Sequence, residues 1–294
     1  MSALAVSLAG RDVLRSSDLA AAETEAVLDL AAELKLDRYE PRLPGRTLGL
    51  LFKKPSTRTR VSFAVAISQL GGAAVPLQPE ELQLSRGESL ADTARVLSSY
   101  LDAIAVRTFA EAELEEWAEA ASIPIVNALT DEEHPYQALA DVLTIRERFG
   151  STEGVRIAWL GDGTNVCNSL GVVAKALGML MVAACPEGYE PRGIEVVRDP
   201  REAVAGAHVL VTDTWTSMGR ESDAAKRLRD LEPYRLGEQL VALADPDAIV
   251  LHCLPAHAGE EIDASVLYGP RSAVWQEAEN RLHVQKALLA LLLG

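Results

Sequence analysis

The sequence predicts an α/β protein made of two doubly wound parallel-sheet domains. Three observations lead there. Short apolar runs alternate with stretches of helical periodicity along the chain, which is how buried parallel strands with crossover helices read. The chemically loaded residues fall in the turns that follow those runs, where open parallel sheets bind ligands. A polar turn at 149–154 separates a long helical segment from a new apolar run. It splits 294 residues into two halves of ordinary domain size.

In the first half the apolar runs place strands at 47–52, 73–77, 103–107 and 124–127. Helical periodicity predicts helices at 18–36, 60–70, 90–100, 110–121 and 136–149. In the second half strands are expected at 156–160, 179–184, 208–212, 249–252 and 273–275, and helices at 168–177 and 277–293. The expected domains are 1–133 and 134–276. Periodicity alone leaves open which half the last helix joins.

Composition narrows the function. A net charge of −15 argues against nonspecific nucleic-acid binding. The odd set Cys167, Cys185 and Cys253 has no disulfide or C-x-x-C spacing, which fits a reducing compartment. Residues 1–10 lack a basic leader, and the apolar stretch 176–185 is too short to span a bilayer. The expectation is a cytoplasmic protein with no membrane or nucleic-acid partner. The five histidines show no metal-ligand spacing, so no metal is expected; no cofactor is expected either.

The most informative stretch is Ser56-Thr57-Arg58-Thr59-Arg60, after the first strand and the turn Lys53-Lys54-Pro55. Helix N-termini offer unpaired N–H groups and a positive dipole end, and hydroxyls and guanidinium forks complete an anion cradle. Four cations in eight residues oppose that dipole unless an anion compensates them. A hydroxyl-capped helix with a solvated basic turn is the plainer alternative.

Other strand-end turns carry further candidates. Arg107 closes the third strand, and His134-Pro135-Tyr136-Gln137 follows the fourth. A histidine at a helix start can stay neutral and donate to a carbonyl oxygen, with Gln137 one turn on along the same face. Gly161-Asp162-Gly163 resembles half of a dinucleotide fingerprint, but position 166 is Val where a third glycine belongs. Asn165 either caps the next helix or offers an amide to a carboxylate. Asp213 ends a strand, where it can bind an ammonium group or cap its own turn. His252 and Cys253 adjoin on a strand and point to opposite faces, which disfavours a nucleophilic dyad.

Together these turns resemble the transcarbamoylase family from about residue 45 onward. Ser-Thr-Arg-Thr-Arg at 56–60, His-Pro-x-Gln at 134–137 and Glu-Asn-Arg at 279–281 carry the resemblance. Asp213 with Ser217-Met218-Gly219, and His252-Cys253-Leu254-Pro255, resemble the branch that uses ornithine.

The resemblance implies that carbamoyl phosphate binds the first domain through Ser56, Thr57, Arg58 and Thr59, with Gln83 reaching in from a neighbouring subunit. Arg107, His134 and Gln137 would surround the carbamoyl group, completed by Arg281, Cys253 and Leu254. Asn165, Asp213, Ser217 and Met218 would hold L-ornithine. Arg58, Arg107, His134 and Cys253 would be catalytic, giving L-citrulline and phosphate without a covalent intermediate. It further implies an active site in the cleft between the domains, residues 277–294 returning to the first domain, and a homotrimer or a multiple of one. One departure is Thr164, where a second asparagine is common. The rival readings are a sister enzyme using aspartate, putrescine or an acylated ornithine, a catalytically silent binding homologue, and, more distantly, a nicotinamide dehydrogenase.

Overall fold

The computed structural model describes residues 7–216 and 223–294. The chain divides into two units, 1–140 with 280–294, and 141–279. The first unit opens with α1 (Ala21–Leu36) and continues β1 (Thr47–Phe52), α2 (Thr57–Gln69), β2 (Ala73–Leu77), α3 (Leu90–Ser98), β3 (Ala103–Arg107), α4 (Glu111–Ala120) and β4 (Ile125–Leu129). Its four strands form a parallel sheet in the order β2-β1-β3-β4. The central strand β3 is buried at every position, and Leu51, Ile104, Val106, Leu114, Trp117 and Ile125 pack into one core.

The helix α5 (Pro135–Phe149) carries the chain into the second unit. There follow β5 (Arg156–Leu160), α6 (Asn165–Ala176), β6 (Leu180–Ala184), β7 (Glu195–Val197), α7 (Pro200–Val204), β8 (Val209–Thr212), α8 (Ala224–Leu231), α9 (Glu238–Val241), β9 (Ile249–His252) and α10 (Ala264–Leu267). The sheet order is β7-β6-β5-β8-β9, again parallel throughout. Leu160, Leu210, Val250, Ile262 and Val274 belong to its main core.

The last helix, α11 (Val274–Leu293), begins in the second unit and ends in the first. Its later turns are fastened by polar bonds. Lys286 is fully buried, and its Nζ donates to the carbonyls of Leu34, Asp37 and Arg38 at 3.2, 3.3 and 3.2 Å. Leu34 lies in the last turn of α1, and Asp37 and Arg38 follow its end, where a cation also complements the helix dipole.

Two expectations fail locally. Residues 273–275 form no strand: Ser272 makes a single parallel bridge with Val250, and Val274 opens α11. The β-favouring Ala-Val-Trp triplet yields to the longer helical pattern behind it. The sequence reading also missed β7, a three-residue strand paired only with β6. Helix α2 starts at Thr57 rather than 60, because Ser56 caps it: its Oγ accepts the Thr59 N–H at 3.3 Å.

Candidate active site

The end of β1 passes into the basic turn, where the Lys53 N–H donates to the Arg107 carbonyl at 2.9 Å. Lys53 pairs with Glu113 at 2.5 Å. Lys54, buried, pairs with Asp131 and lies 4.3 Å from the centre of the Phe109 ring. Two of the four cations of this segment are therefore neutralised inside the first unit, which the charge count in sequence could not reveal. Arg58 and Arg60 are exposed and have no ion pair among the described residues. The first turn of α2 contains no acid, so the helix dipole and Arg58 act on the same side, in favour of an anion. Ser56 and exposed Thr57 stand beside them.

Behind that turn three elements converge. Arg281 of α11 donates through Nη1 to Gln137 Oε1 at 2.8 Å and through Nη2 to Thr59 Oγ1. All three side chains are buried. His134, just before α5, is also buried. Burial first, and then the guanidinium groups of Arg281 and Arg107, hold its imidazole well below the usual pKa and keep it neutral. Arg107, at the end of β3, is 8% exposed, so a cationic group and a neutral imidazole share one dry region. The first unit thus brings together Thr59, Arg107, His134, Gln137 and Arg281, with Ser56, Thr57 and Arg58 on the helix turn that carries Thr59. Gln83 lies in a 3-10 turn, Gln83–Arg86, between β2 and α3. It is exposed, and its side chain makes no hydrogen bond to these groups among the described residues.

The second unit gathers a different set. Asp213, at the end of β8, accepts the Thr214 N–H at 2.7 Å and the Cys253 thiol at 2.8 Å on Oδ1, and the Thr164 hydroxyl at 3.2 Å on Oδ2. The bond from Thr214 is the cap of its own turn that the sequence allowed for Asp213. Thr164 precedes α6 but makes no side-chain cap bond there; its hydroxyl serves Asp213 instead. Asn165 is the first residue of α6, and its Oδ1 accepts the Val166 N–H at 2.9 Å. Leu254 has φ +58, and its N–H donates to His252 Nδ1 at 2.9 Å. Ser217 and Met218 lie outside the described residues.

The Gly161-Asp162-Gly163 turn has a packing explanation. Gly161 has φ +104, and a Cβ there would lie 2.7 Å from Trp215 Nε1. A Cβ on Gly163 would fall 2.2 Å from the main-chain nitrogen of Pro191. Both glycines are required by close approach. Burial raises the thiol pKa of Cys167, and that of Cys185 to about 11, as expected for core residues.

Sequence reasoning missed three contributors. Arg227 of α8 is buried and joins the Trp215 carbonyl, at 2.6 Å, to the Asp162 carboxylate. His252 and Glu261 pair through Nε2 and Oε1 at 3.1 Å, both fully enclosed. The fold also assembles donor sets that linear spacing hid, Asp213–His252–Cys253 and His257–Glu260–Glu261, each with one donor atom per residue within 4.8 Å of the others. Arg227 and Asp213 join their groups only through tertiary packing, whereas His257, Glu260 and Glu261 lie within five consecutive residues.

The twin parallel sheets and their loaded strand ends define a class. Residues 11–147 match the family model of the aspartate/ornithine carbamoyltransferase carbamoyl-P binding domain, and residues 153–292 match that family's Asp/Orn binding domain. The chain belongs to the aspartate/ornithine carbamoyltransferase family.

Its relatives are more specific. It is 52% identical over 301 residues to the ornithine carbamoyltransferase of Thermosynechococcus vestitus, covering 97% of each chain. The solved ornithine carbamoyltransferase of Pyrococcus furiosus shares 46% identity at a TM-score of 0.94, over 98% of this chain and 99% of the other. That of Thermus thermophilus gives 44% and 0.90, over 96% and 99%.

Proposed function

We propose that this enzyme transfers the carbamoyl group of carbamoyl phosphate to the side-chain amine of L-ornithine, releasing L-citrulline and phosphate. The observation that carries the reading is the convergence on Arg281. One guanidinium holds Thr59 of the basic helix turn and Gln137 beside a neutral His134. The similarity to ornithine carbamoyltransferases along nearly the whole chain supports it.

The phosphate of the donor binds Ser56, Thr57, Arg58 and Thr59 at the start of α2. Arg107, His134 and Thr59 donate toward the carbonyl oxygen, with Gln137 and Arg281 completing that pocket of the first unit; in the second unit Cys253 and Leu254 are substrate contacts. As the amine attacks the carbamoyl carbon, that oxygen takes on negative charge, and each preorganised donor lowers the barrier by on the order of 3 kcal/mol. The C–O bond to phosphate then breaks, and Arg58 stabilises the departing charge. A neutral imidazole suits this role, because it donates a hydrogen bond without adding another cation beside Arg107 and Arg281.

The amine must be neutral to attack. A lysine-like amine titrates near ~10.4, so deprotonating it at neutral pH costs roughly 4–5 kcal/mol. The cationic surroundings of the donor offset some of that cost by disfavouring a second ammonium. Asp213, aided by Asn165, Ser217 and Met218, takes the amino-acid end. Cys253 acts as a contact and not a nucleophile, since its proton is directed at Asp213.

A homotrimer working in the cytoplasm completes the proposal. Val61, Val75, Val96 and Tyr100 of the first unit are exposed, and β2 is an edge strand with exposed apolar positions. Such an edge invites a neighbouring copy, whose Gln83 would then join the phosphate. No helix among the described residues is long and apolar enough to cross a membrane. The three cysteines form no disulfide.

The decisive experiment is colorimetric citrulline formation from carbamoyl phosphate and ornithine, with aspartate and putrescine as competing acceptors. Preference for either competitor would reassign the substrate; binding of carbamoyl phosphate with no product would make the chain a binding homologue.

A further inference from the structure

Glu261 takes no role in the reaction as proposed, yet its side chain is fully buried. Oε1 faces His252 Nε2 at 3.1 Å and accepts the main-chain N–H of His257. On the other side of the imidazole, Nδ1 lies 2.9 Å from the Leu254 nitrogen. A backbone N–H can only donate, so Nδ1 must be the bare nitrogen. Nε2 then carries the proton and donates to the carboxylate. The His252 main-chain N–H is also taken, by Glu277 Oε2 at 2.8 Å, and Glu261 Oε2 lies 3.8 Å from His257 Nδ1.

The segment held in this way is the turn after β9. It contains Cys253, whose thiol reaches Asp213, and Leu254, at φ +58. A leucine in the left-handed region persists only where its surroundings over-determine it. Glu261 grips that turn at both ends, through the ring of residue 252 and the backbone of residue 257.

We propose that Glu261 is a positioning residue for carbamoyl transfer. It fixes His252 in the Nε2–H tautomer, which leaves Nδ1 to hold the Leu254 N–H and so sets the Cys253–Leu254 segment that meets the substrates. This rests on Cys253 and Leu254 being substrate contacts, as proposed above.

Two substitutions at position 252 separate positioning from mere stability. His252→Asn keeps an acceptor oxygen close to the place of Nδ1, within reach of the Leu254 N–H. His252→Gln reaches toward Glu261 but leaves that N–H without an acceptor. Losing the acceptor of this part-buried donor is expected to lower kcat by about tenfold or more in the Gln variant and raise its KM for ornithine, while the Asn variant stays within about threefold of the parent. Affinity for inorganic phosphate, whose contacts lie in the first unit, should change by less than about twofold in both. Nitrogen NMR on isotope-labelled histidine should show His252 with Nδ1 bare and Nε2 protonated, and Glu261→Gln should give a mixture of tautomers, because a carboxamide can turn its NH₂ toward the ring. Equal losses in the Asn and Gln variants, or a protonated Nδ1 in the parent enzyme, would overturn the inference. A parent protein that makes no citrulline would instead sink the proposed function, and the nitrogen signals would still decide the tautomer.

Discussion

Arg281 Nη1 lies 2.8 Å from Gln137 Oε1, a bond between residues 144 positions apart. The same guanidinium reaches Thr59 through its other terminal nitrogen, so one planar fork sets the relation between two groups of the proposed donor site. A lysine ammonium is a point donor and cannot reproduce that fork. Arg281→Lys is therefore expected to lose about a hundredfold or more in citrulline formation, measured under saturating substrates. Near-parental turnover would remove Arg281 from the site.

Arg58 is exposed and without an ion pair among the described residues, so its removal breaks no ion pair there. Arg58→Ala should leave thermal unfolding within about 0.5 kcal/mol of the parent. Turnover should fall by about a hundredfold or more. A melt and an activity assay on one preparation decide this, and an active Arg58→Ala protein would end the phosphate-cradle reading.

Lys54 makes the contrast. Its ammonium is already committed to Asp131 and to the face of Phe109. Asp131 is 59% exposed in its side chain, so solvent screens the pair and Lys54→Met should cost only about 1 kcal/mol of stability. Damage to turnover should be at least about ten times smaller than for Arg58→Ala. Chemical denaturation and the citrulline assay read the two effects separately.

His134 predicts a direction with pH. Its folded pKa lies well below the ordinary imidazole value, so as pH falls through ~6.5 the unfolded chain takes up a proton there that the folded chain refuses. Stability from this residue is complete above that value and declines below it. His134→Asn should abolish the component, so the parent loses more stability than the variant between pH ~8 and ~5.5. Equal losses in the two would show that the histidine titrates normally.

Cys253→Ser keeps a hydroxyl able to donate to Asp213, whereas Cys253→Ala does not. The Ser variant should show a several-fold higher KM for ornithine with substantial kcat, and the Ala variant a larger defect, of the order of tenfold. Isolation of a carbamoyl-cysteine adduct would exclude direct attack by the amine.

Much of this was legible in the chain because parallel strands bury both faces and so announce themselves as apolar runs: β1, β3, β5 and β9 lie where the pattern placed them, as does the apolar but exposed edge strand β2. The motifs at 56–60 and 134–137 stand out in the sequence for a related reason, since residue type and position along an element together suggest a role. Three things stayed hidden. The partners of Lys53 and Lys54 come from after β3 and β4, and no local rule couples them. The short β7 is recruited by its neighbour β6, and its own sequence, with an exposed Glu195, does not demand a strand. Glu261 reads as one of two acids on a polar stretch, and only the fold makes it the enclosed member.

The near-collision at Gly163 has a practical corollary for redesign around the proposed ornithine contacts. Even a methyl group at that position would have to push neighbouring main chains apart, because its obstacle is the Pro191 backbone, which cannot rotate aside as a side chain could. The adjacent Thr164 is only partly buried and addresses Asp213 directly. Libraries aimed at new acceptors should hold 163 invariant and diversify 164, where loss of the hydroxyl removes one hydrogen bond from Asp213.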